Sequence, residues 1–159
     1  MPKARKMLSE WEAPYIQSLM KLIETQSKVT LCKYYPFDLR PQNALNAARD
    51  WLSGAIKLPQ AKAAILECHA SAREAEGNPI AQAAARAIGQ CTSTIHSARH
   101  CIGLAFYGAL AVAYDQLGTD ALWEQIEKSA AKECGHMFEA LQAVAVINEP
   151  NPAKIDWKC

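Results

Sequence analysis

The chain has 159 residues, half of them hydrophobic, and its 17 basic and 16 acidic residues give a net charge of +1. This length predicts one domain, residues 1–159, that can bury its own core. The near-neutral charge argues against a large basic surface, so we expect neither nucleic acid nor a membrane among the partners.

The first predicted helix lies within residues 9–27, where apolar residues recur every three or four positions. The connector KYYPFDLRP follows, and Pro36 and Pro41 bracket it. Pro41 suits the first turn of the next helix because its missing N–H would have no partner there. We expect that second helix to end near Gly54. Its expected inward stripe is Ala44, Ala48, Trp51 and Ala55.

A third and a fourth helix are also predicted to begin with a proline. Pro59 opens the third, which should end near Gly77 because glycine commonly follows a helix end. Asn78 then caps a fourth helix that starts at Pro79. The expected inward residues of the third helix are Ala61, Ile65, Cys68, Ala72 and Ala75.

The helical pattern after Pro79 runs from Ile80 to Ala113, and Gly118 closes the helix. That is about 35 residues, which is long for a helix of a globular protein. Threonines, a serine and glycines weaken its middle, so we predict a kink or break between Gly89 and Gly103. The expected inward residues are Ile80, Ala84, Ala87, Cys91, Ile95, Ala98, Ile102, Ala105, Ala109 and Ala113.

A last long helix is predicted to begin at residue 119 or 120. Its expected inward residues are Leu122, Ile126, Ala130, Cys134, Met137, Leu141 and Ala145. Residues 148–159 contain prolines and form an extended tail, which Ile155 and Trp157 could pin to the body. Because no strand pattern competes, the sequence predicts an all-α, single-domain helical bundle of about five to seven helices with a short extended C-terminal tail. Residues 36–147 are its expected helical core.

The cysteines and the N-terminal residues predict a cytoplasmic protein. The six cysteines are Cys32, Cys68, Cys91, Cys101, Cys134 and Cys159. They form no CxxC pair, and four of them lie in predicted helices, so we expect reduced, mostly buried thiols. The first residues lack the apolar run of a signal peptide, and no uncharged stretch reaches the roughly 20 residues of a membrane helix.

A row of polar residues lies beside the apolar stripe of the long helical pattern. Four of its members recur there at helical intervals, and the two others are expected neighbours from the preceding helix. This polar seam consists of His69, Arg73, Arg86, His96, His100 and Tyr107. The favoured interpretation is structural, with these side chains hydrogen-bonded to one another between helices. A functional pocket or a partner-contact edge is the alternative.

His96 and His100 are four residues apart, a spacing that helical metal sites use. The segment HSARH lacks the glutamate that metalloenzymes use as a base, and a site needs further ligands. We therefore expect no metal and no cofactor, and keep a small metal- or ligand-binding protein with a His/Cys cluster as the alternative. Its candidate ligands are His96 and His100, and the further residues that could converge on them are Cys68, His69, Cys101 and His136. No catalytic motif is present, so we expect no enzyme.

Several segments, taken in order, carry a family likeness. They are PFDLRPQNAL at 36–45, WLSG at 51–54, CHASAREA at 68–75, AARAIG at 84–89, TIHSARH at 94–100, AFY at 105–107 and the tail NPAKIDWKC. In this order and spacing they resemble the putative immunity protein family of bacterial polymorphic toxin systems. The resemblance covers about residues 36–115 and the tail. One departure is Gln90, because members commonly carry a histidine after the glycine at position 89.

The resemblance implies a non-catalytic protein that binds a cognate toxin and neutralises it. Exposed loops on a rigid scaffold tend to carry recognition, and aromatic and arginine side chains are common anchors. The connector therefore supplies the candidate contact residues Tyr34, Tyr35, Phe37 and Arg40. The alternative is that these aromatics only cap the bundle. One apolar stripe per helix predicts a monomer or a weak homodimer.

Overall fold

The computed structural model describes residues 33–145 and 147–148. Five α-helices lie in this part: α1 (Arg40–Ser53), α2 (Leu58–Glu74), α3 (Pro79–Ser93), α4 (His100–Leu117) and α5 (Trp123–Val144). Residues 33 and 34 are also helical, and the described residues contain no strand. The predicted all-α architecture is confirmed, at the lower end of the expected number of helices. The predicted helix within 9–27, Cys32, and the tail from 149 onward lie outside the described residues.

Each helix packs against the next one along the chain, and α1 also contacts α3. Short connections join them, so the bundle is a series of helical hairpins with α3 at its centre. Ten of the 15 residues of α3 are buried, and five of them are alanines. Small side chains allow the neighbouring helices to approach closely on several sides of α3.

Prolines and glycines set most helix boundaries, as the sequence predicts. Pro41 lies in the first turn of α1, and Gly54 ends that helix with a left-handed φ of 87°. The side chain of Asn78 accepts a hydrogen bond from the backbone N–H of Ala81 at 3.1 Å, which caps α3. Gly118, with φ 81°, ends α4.

The predicted break between Gly89 and Gly103 is present, because α3 ends at Ser93 and α4 begins at His100. The hydroxyl of Thr92 donates to the carbonyl oxygens of Ile88 at 2.9 Å and Gly89 at 3.1 Å. Thr94 donates in the same way to Cys91. Such bonds compete with the helical ladder and favour an end or a bend at this place.

The break between α3 and α4 changes which of the following residues face the core. Ala98 is exposed and Ile102 is 36% exposed, so their predicted inward position is wrong. Leu104, only 2% exposed, takes the buried position instead. The prediction carried the periodicity of α3 through the turn at 94–99, where the chain does not follow helical geometry.

Three further residues predicted to face inward are exposed, and each lies just beyond a helix end. They are Ala55, Leu122 and Ala145. The last helix starts at Trp123 rather than at 119 or 120. Ile126 and Met137 are buried on it as expected, but so is Glu133, at 6% exposure. One carboxylate oxygen of Glu133 has no hydrogen-bond partner, which the sequence did not indicate.

The described cysteines are free thiols. Cys68 and Cys91 are buried, whereas Cys101 and Cys134 are partly exposed. Burial raises the pKa of the Cys68 thiol to about 12, so this side chain is a neutral core residue at physiological pH. In the described part of the chain, no helix combines the length and the apolar character that crossing a membrane requires.

Candidate functional site

Two groups of polar side chains stand out in the bundle, and the first ties the connector to α2. This connector network consists of Asp38, Arg40, Ser71 and Glu74. Arg40 donates to both carboxylate oxygens of Asp38, from Nε at 2.9 Å and from Nη2 at 2.8 Å. It also donates to Glu74 from Nη1 at 3.0 Å and from Nη2 at 2.6 Å. The Ser71 hydroxyl donates to Asp38 Oδ2 at 2.6 Å.

The interactions within the connector network favour the charged forms of Asp38, Arg40 and Glu74. The hydrogen bonds from Arg40 are the main cause that lowers the pKa of Asp38 to about 2, against the opposing effect of burial. The same guanidinium lowers the pKa of Glu74, and the two carboxylates in turn raise the pKa of Arg40. Four of the five N–H donors of Arg40 are therefore used within the protein.

The four contact candidates of the connector have different environments. Tyr34 is partly buried against the core, and its hydroxyl lies 3.4 Å from Asp115 Oδ1. Tyr35 is 38% exposed and Phe37 is 94% exposed. Leu39, which the sequence did not single out, is 62% exposed beside them. Two of the four candidates thus hold the connector in place, and two project into solvent.

The second group surrounds an open groove between α2, α3 and α4. This seam groove has a volume of about 310 Å³. Its lining residues are Leu66, His69, Ala72, Arg73, Arg86, Gln90 and Tyr107. The structure brings four of the six polar-seam residues together here. His96, in the turn before α4, and His100, at its first position, do not line the groove.

Hydrogen bonds and ring contacts join the polar seam across helices. His69 Nε2 lies 3.3 Å from Ser93 Oγ. His100 Nδ1 lies 2.7 Å from Gln90 Oε1, an arrangement in which the imidazole N–H donates to the amide oxygen. The rings of His96 and His100 meet edge to face with centroids 5.5 Å apart. These contacts join α2, α3 and α4, and two of them run to residues outside the predicted seam, Ser93 and Gln90.

Arg86 and Tyr107 form the contact between α3 and α4 within the seam groove. The Arg86 guanidinium carbon lies 5.4 Å from the centroid of the Tyr107 ring, which is a cation–π distance. Arg86 Nη1 also donates to the Tyr107 hydroxyl over a long 3.5 Å. Both side chains are partly exposed, so the guanidinium keeps access to the groove.

Two glycines make room for the seam side chains. A Cβ atom on Gly89 would lie 2.7 Å from Cε1 of the His69 ring. A Cβ atom on Gly103 would lie 2.7 Å from Oε1 of Gln90. Gln90 and Leu66 were missed among the site residues. The signal for Gln90 was its spacing of four residues from Arg86, which places both side chains on one face of α3.

Burial favours the neutral form of the three seam histidines. Burial is the main cause that lowers the pKa of His69, His96 and His100, and nearby positive groups add to it. Within residues 33–145, no three or more His, Cys, Asp or Glu side chains are grouped so that they could hold a metal ion. The histidines and cysteines of the alternative metal site therefore do not come together in the described residues. His136 Nδ1, for example, lies 3.1 Å from Glu133 Oε2.

The fold and the site define an all-α protein with a braced connector and a basic surface groove. Compared with known protein families, the chain matches the family described as Imm-5 like putative immunity protein over residues 2–140. The match covers most of the chain, including the connector network and the seam groove, and the chain belongs to this family. No curated protein and no solved structure matches it.

Proposed function

We propose that this protein is an immunity protein that binds one cognate bacterial toxin and blocks it without catalysis. The observation that carries the proposal is membership of the immunity family over residues 2–140. The protein acts in the cytoplasm of the cell that it protects, as a monomer or weak homodimer that pairs with the toxin. Its role needs a stable scaffold that presents recognition groups, rather than a reacting centre.

The connector supplies one part of the contact surface. Tyr35, Phe37 and Leu39 expose apolar side chains within five residues of each other. Water contact with such groups is unfavourable, and burying them against a partner releases that cost. The backbone that carries them is fixed on one side by Tyr34 and on the other by Arg40. Pre-organisation of this kind lowers the entropy lost on binding.

The connector and the seam groove reach the same end of α2. Glu74, which anchors the connector through Arg40, directly follows Arg73, which lines the groove. A toxin bound across this end would meet an apolar loop and a basic groove in one interface. Stable complexes bury roughly 1,200–2,000 Å² in total, so a contact of this breadth is expected.

Co-expression with the toxin encoded beside this gene tests the proposal. Cells that make the wild-type protein should survive toxin induction, whereas cells that make no immunity protein should die. The Tyr35→Ala/Phe37→Ala double variant should protect less well. A matched control is Leu122→Ala/Trp123→Ala, which removes two equally exposed apolar side chains at the start of α5.

The outcomes test the immunity role and the connector contact surface separately. Continued killing in the presence of folded wild-type protein would contradict the immunity role itself. Full protection by the connector variant, together with a loss of protection in the α5 control, would move the contact surface away from the connector.

A further inference from the structure

Two arginine side chains line the seam groove without a carboxylate to pair with. Arg73 reaches it from α2 and Arg86 from α3. No acidic residue lines the groove, and neither arginine forms an ion pair with any carboxylate in the described part of the chain. Arg40 and Lys33, in contrast, both pair with carboxylates. The seam groove is therefore lined by two guanidinium groups and by no carboxylate in a nearly neutral protein, and Glu74 next to Arg73 offsets part of that positive charge.

The other groove residues suit a carboxylate group on a short stem. Gln90 uses its amide oxygen to accept from His100, so its amide nitrogen remains as a donor. Leu66, 65% exposed, and the Tyr107 ring offer apolar contact. The lowered pKa of His69 leaves that ring neutral, so the positive charge comes from the two guanidinium groups.

The size and openness of the groove favour a projecting side chain over an enclosed small molecule. Its volume of about 310 Å³ is at the lower limit of small-molecule sites, which usually surround most of their ligand. Arg73 is exposed at the surface, where an approaching protein would meet it first. Guanidinium groups bind carboxylates through paired hydrogen bonds, and arginine is frequent among the dominant residues of interfaces.

We propose that the seam groove receives an acidic side chain, Asp or Glu, of the cognate toxin, held by Arg73 and Arg86. This inference rests on the proposed function and names the chemistry of the contact. Arg86 is already positioned by the Tyr107 ring and loses little freedom on binding. Arg73, the more exposed of the two arginines, contacts the carboxylate from α2.

The test is a calorimetric titration with the purified toxin domain encoded beside this gene. Arg73→Glu should weaken binding by about thirtyfold or more, because it places like charges together in the contact. Arg73 is exposed and forms no ion pair with the described residues, so this variant should stay folded, and reversing the charge in the last turn of α2 should lower the melting temperature by no more than about 4 °C. The matched control is Lys128→Glu on the exposed side of α5, which makes the same charge change and should alter the affinity by less than about threefold.

A charge swap makes the assignment specific. Replacing the contacting acidic residue of the toxin with Arg should weaken binding to the wild type and restore binding to Arg73→Glu. The wild-type affinity should fall as salt is added, and that of an Arg73→Ala/Arg86→Ala variant should fall less.

The results distinguish the immunity role from the assignment of the seam groove. Tight binding by the wild type together with unchanged binding by Arg73→Glu would overturn the groove assignment and leave the immunity role intact. Absence of binding by the wild type would overturn both. The alternative ligand is inorganic phosphate, which would shift the nuclear magnetic resonances of Arg73 and Arg86 while the Arg73→Glu variant binds the toxin as tightly as the wild type does. With that result the groove binds a free anion and the inference is wrong.

Discussion

At the scale of single residues, the absence of a side chain at Gly89 matters most for the seam groove. A Cβ atom there would lie 2.7 Å from the His69 ring, closer than carbon atoms approach without displacement. The ring is held between α2 and α3 and contacts Ser93. To make room, the ring would have to shift, which weakens that contact and changes the wall of the groove.

Gly89→Ala should therefore destabilise the protein by about 1–3 kcal/mol, the usual cost of overpacking a close contact. The control is Gly135→Ala in α5, where nothing lies within 4 Å of the added atom. That change should stabilise the protein by about 0.5–1 kcal/mol, because alanine is the better helix residue. Urea denaturation measures the free energy of unfolding of both variants. A Gly89→Ala variant as stable as the wild type would show that the His69 ring leaves room for a side chain at position 89.

Asp38 is the residue on which the connector network depends. Asp38→Asn removes a carboxylate that accepts from Arg40 and Ser71 and should cost about 1–3 kcal/mol at pH 7. Its pKa of about 2 lies below the value in the unfolded chain, so the contribution is present above about pH 4 and lost as the pH falls toward 2. The difference in unfolding free energy between variant and wild type should shrink over that range. A difference independent of pH would mean that the ionised carboxylate is unimportant.

At the scale of elements, the junction of α3 and α4 gathers three histidines whose pKa values are lowered in the folded protein. The charged groups that act on them are Lys62, Arg73 and Arg99, together with the histidines themselves. The unfolded chain binds more protons than the folded one below about pH 6.5. The stability that these neutral rings provide is therefore present above that pH and lost as the pH falls.

The melting temperature should accordingly be lower at pH 5 than at pH 7. Asp38 contributes little to this change because it titrates at much lower pH, and the pKa of Glu74 is also lowered. In His69→Gln, one of the three rings no longer titrates, and the difference between the two pH values should become smaller. An equal or larger difference in that variant would contradict the assignment of the pH dependence to the junction.

The sequence predicts helices well where a proline or glycine marks a boundary, as at Pro41, Pro79 and Gly118. It predicts them less well after the turn at 94–99, because nothing in a helical pattern gives the rotation that a turn introduces. Ile102 was misplaced for this reason. The start of α5 was misplaced because Thr119 and Asp120 look like caps but form a turn.

The candidate site, like the fold, could be predicted from the sequence only in part. Arg86 and Tyr107 lie on one predicted stripe, and the seam groove contains both. The pairing of Arg40 with Glu74 joins residues 34 positions apart on different helices. Such a pair depends on the register between α1 and α2, which no local pattern encodes. The glycine at 89 and the glutamine at 90 were visible in the sequence, but their packing roles required the neighbouring helices.

At the scale of the whole molecule, a series of helical hairpins places the exposed connector and the seam groove at one end of α2. The connector network holds an exposed aromatic loop there, and the seam groove adds two arginines that form no ion pair with a carboxylate of the described residues. The core beneath them is built largely from alanine, which keeps α3 close to its neighbours. This arrangement suits a protein that blocks a partner by occupying its surface.

The most direct test of this account measures the activity of the toxin domain while increasing amounts of this protein are added. At concentrations above the dissociation constant, the account predicts that toxin activity falls in proportion to the added protein and reaches zero at an equimolar ratio. Toxin recovered by denaturation and refolding should be fully active, because binding alone blocks it. Unaffected toxin activity at equimolar protein, or progressive inactivation by much smaller amounts, would contradict the account.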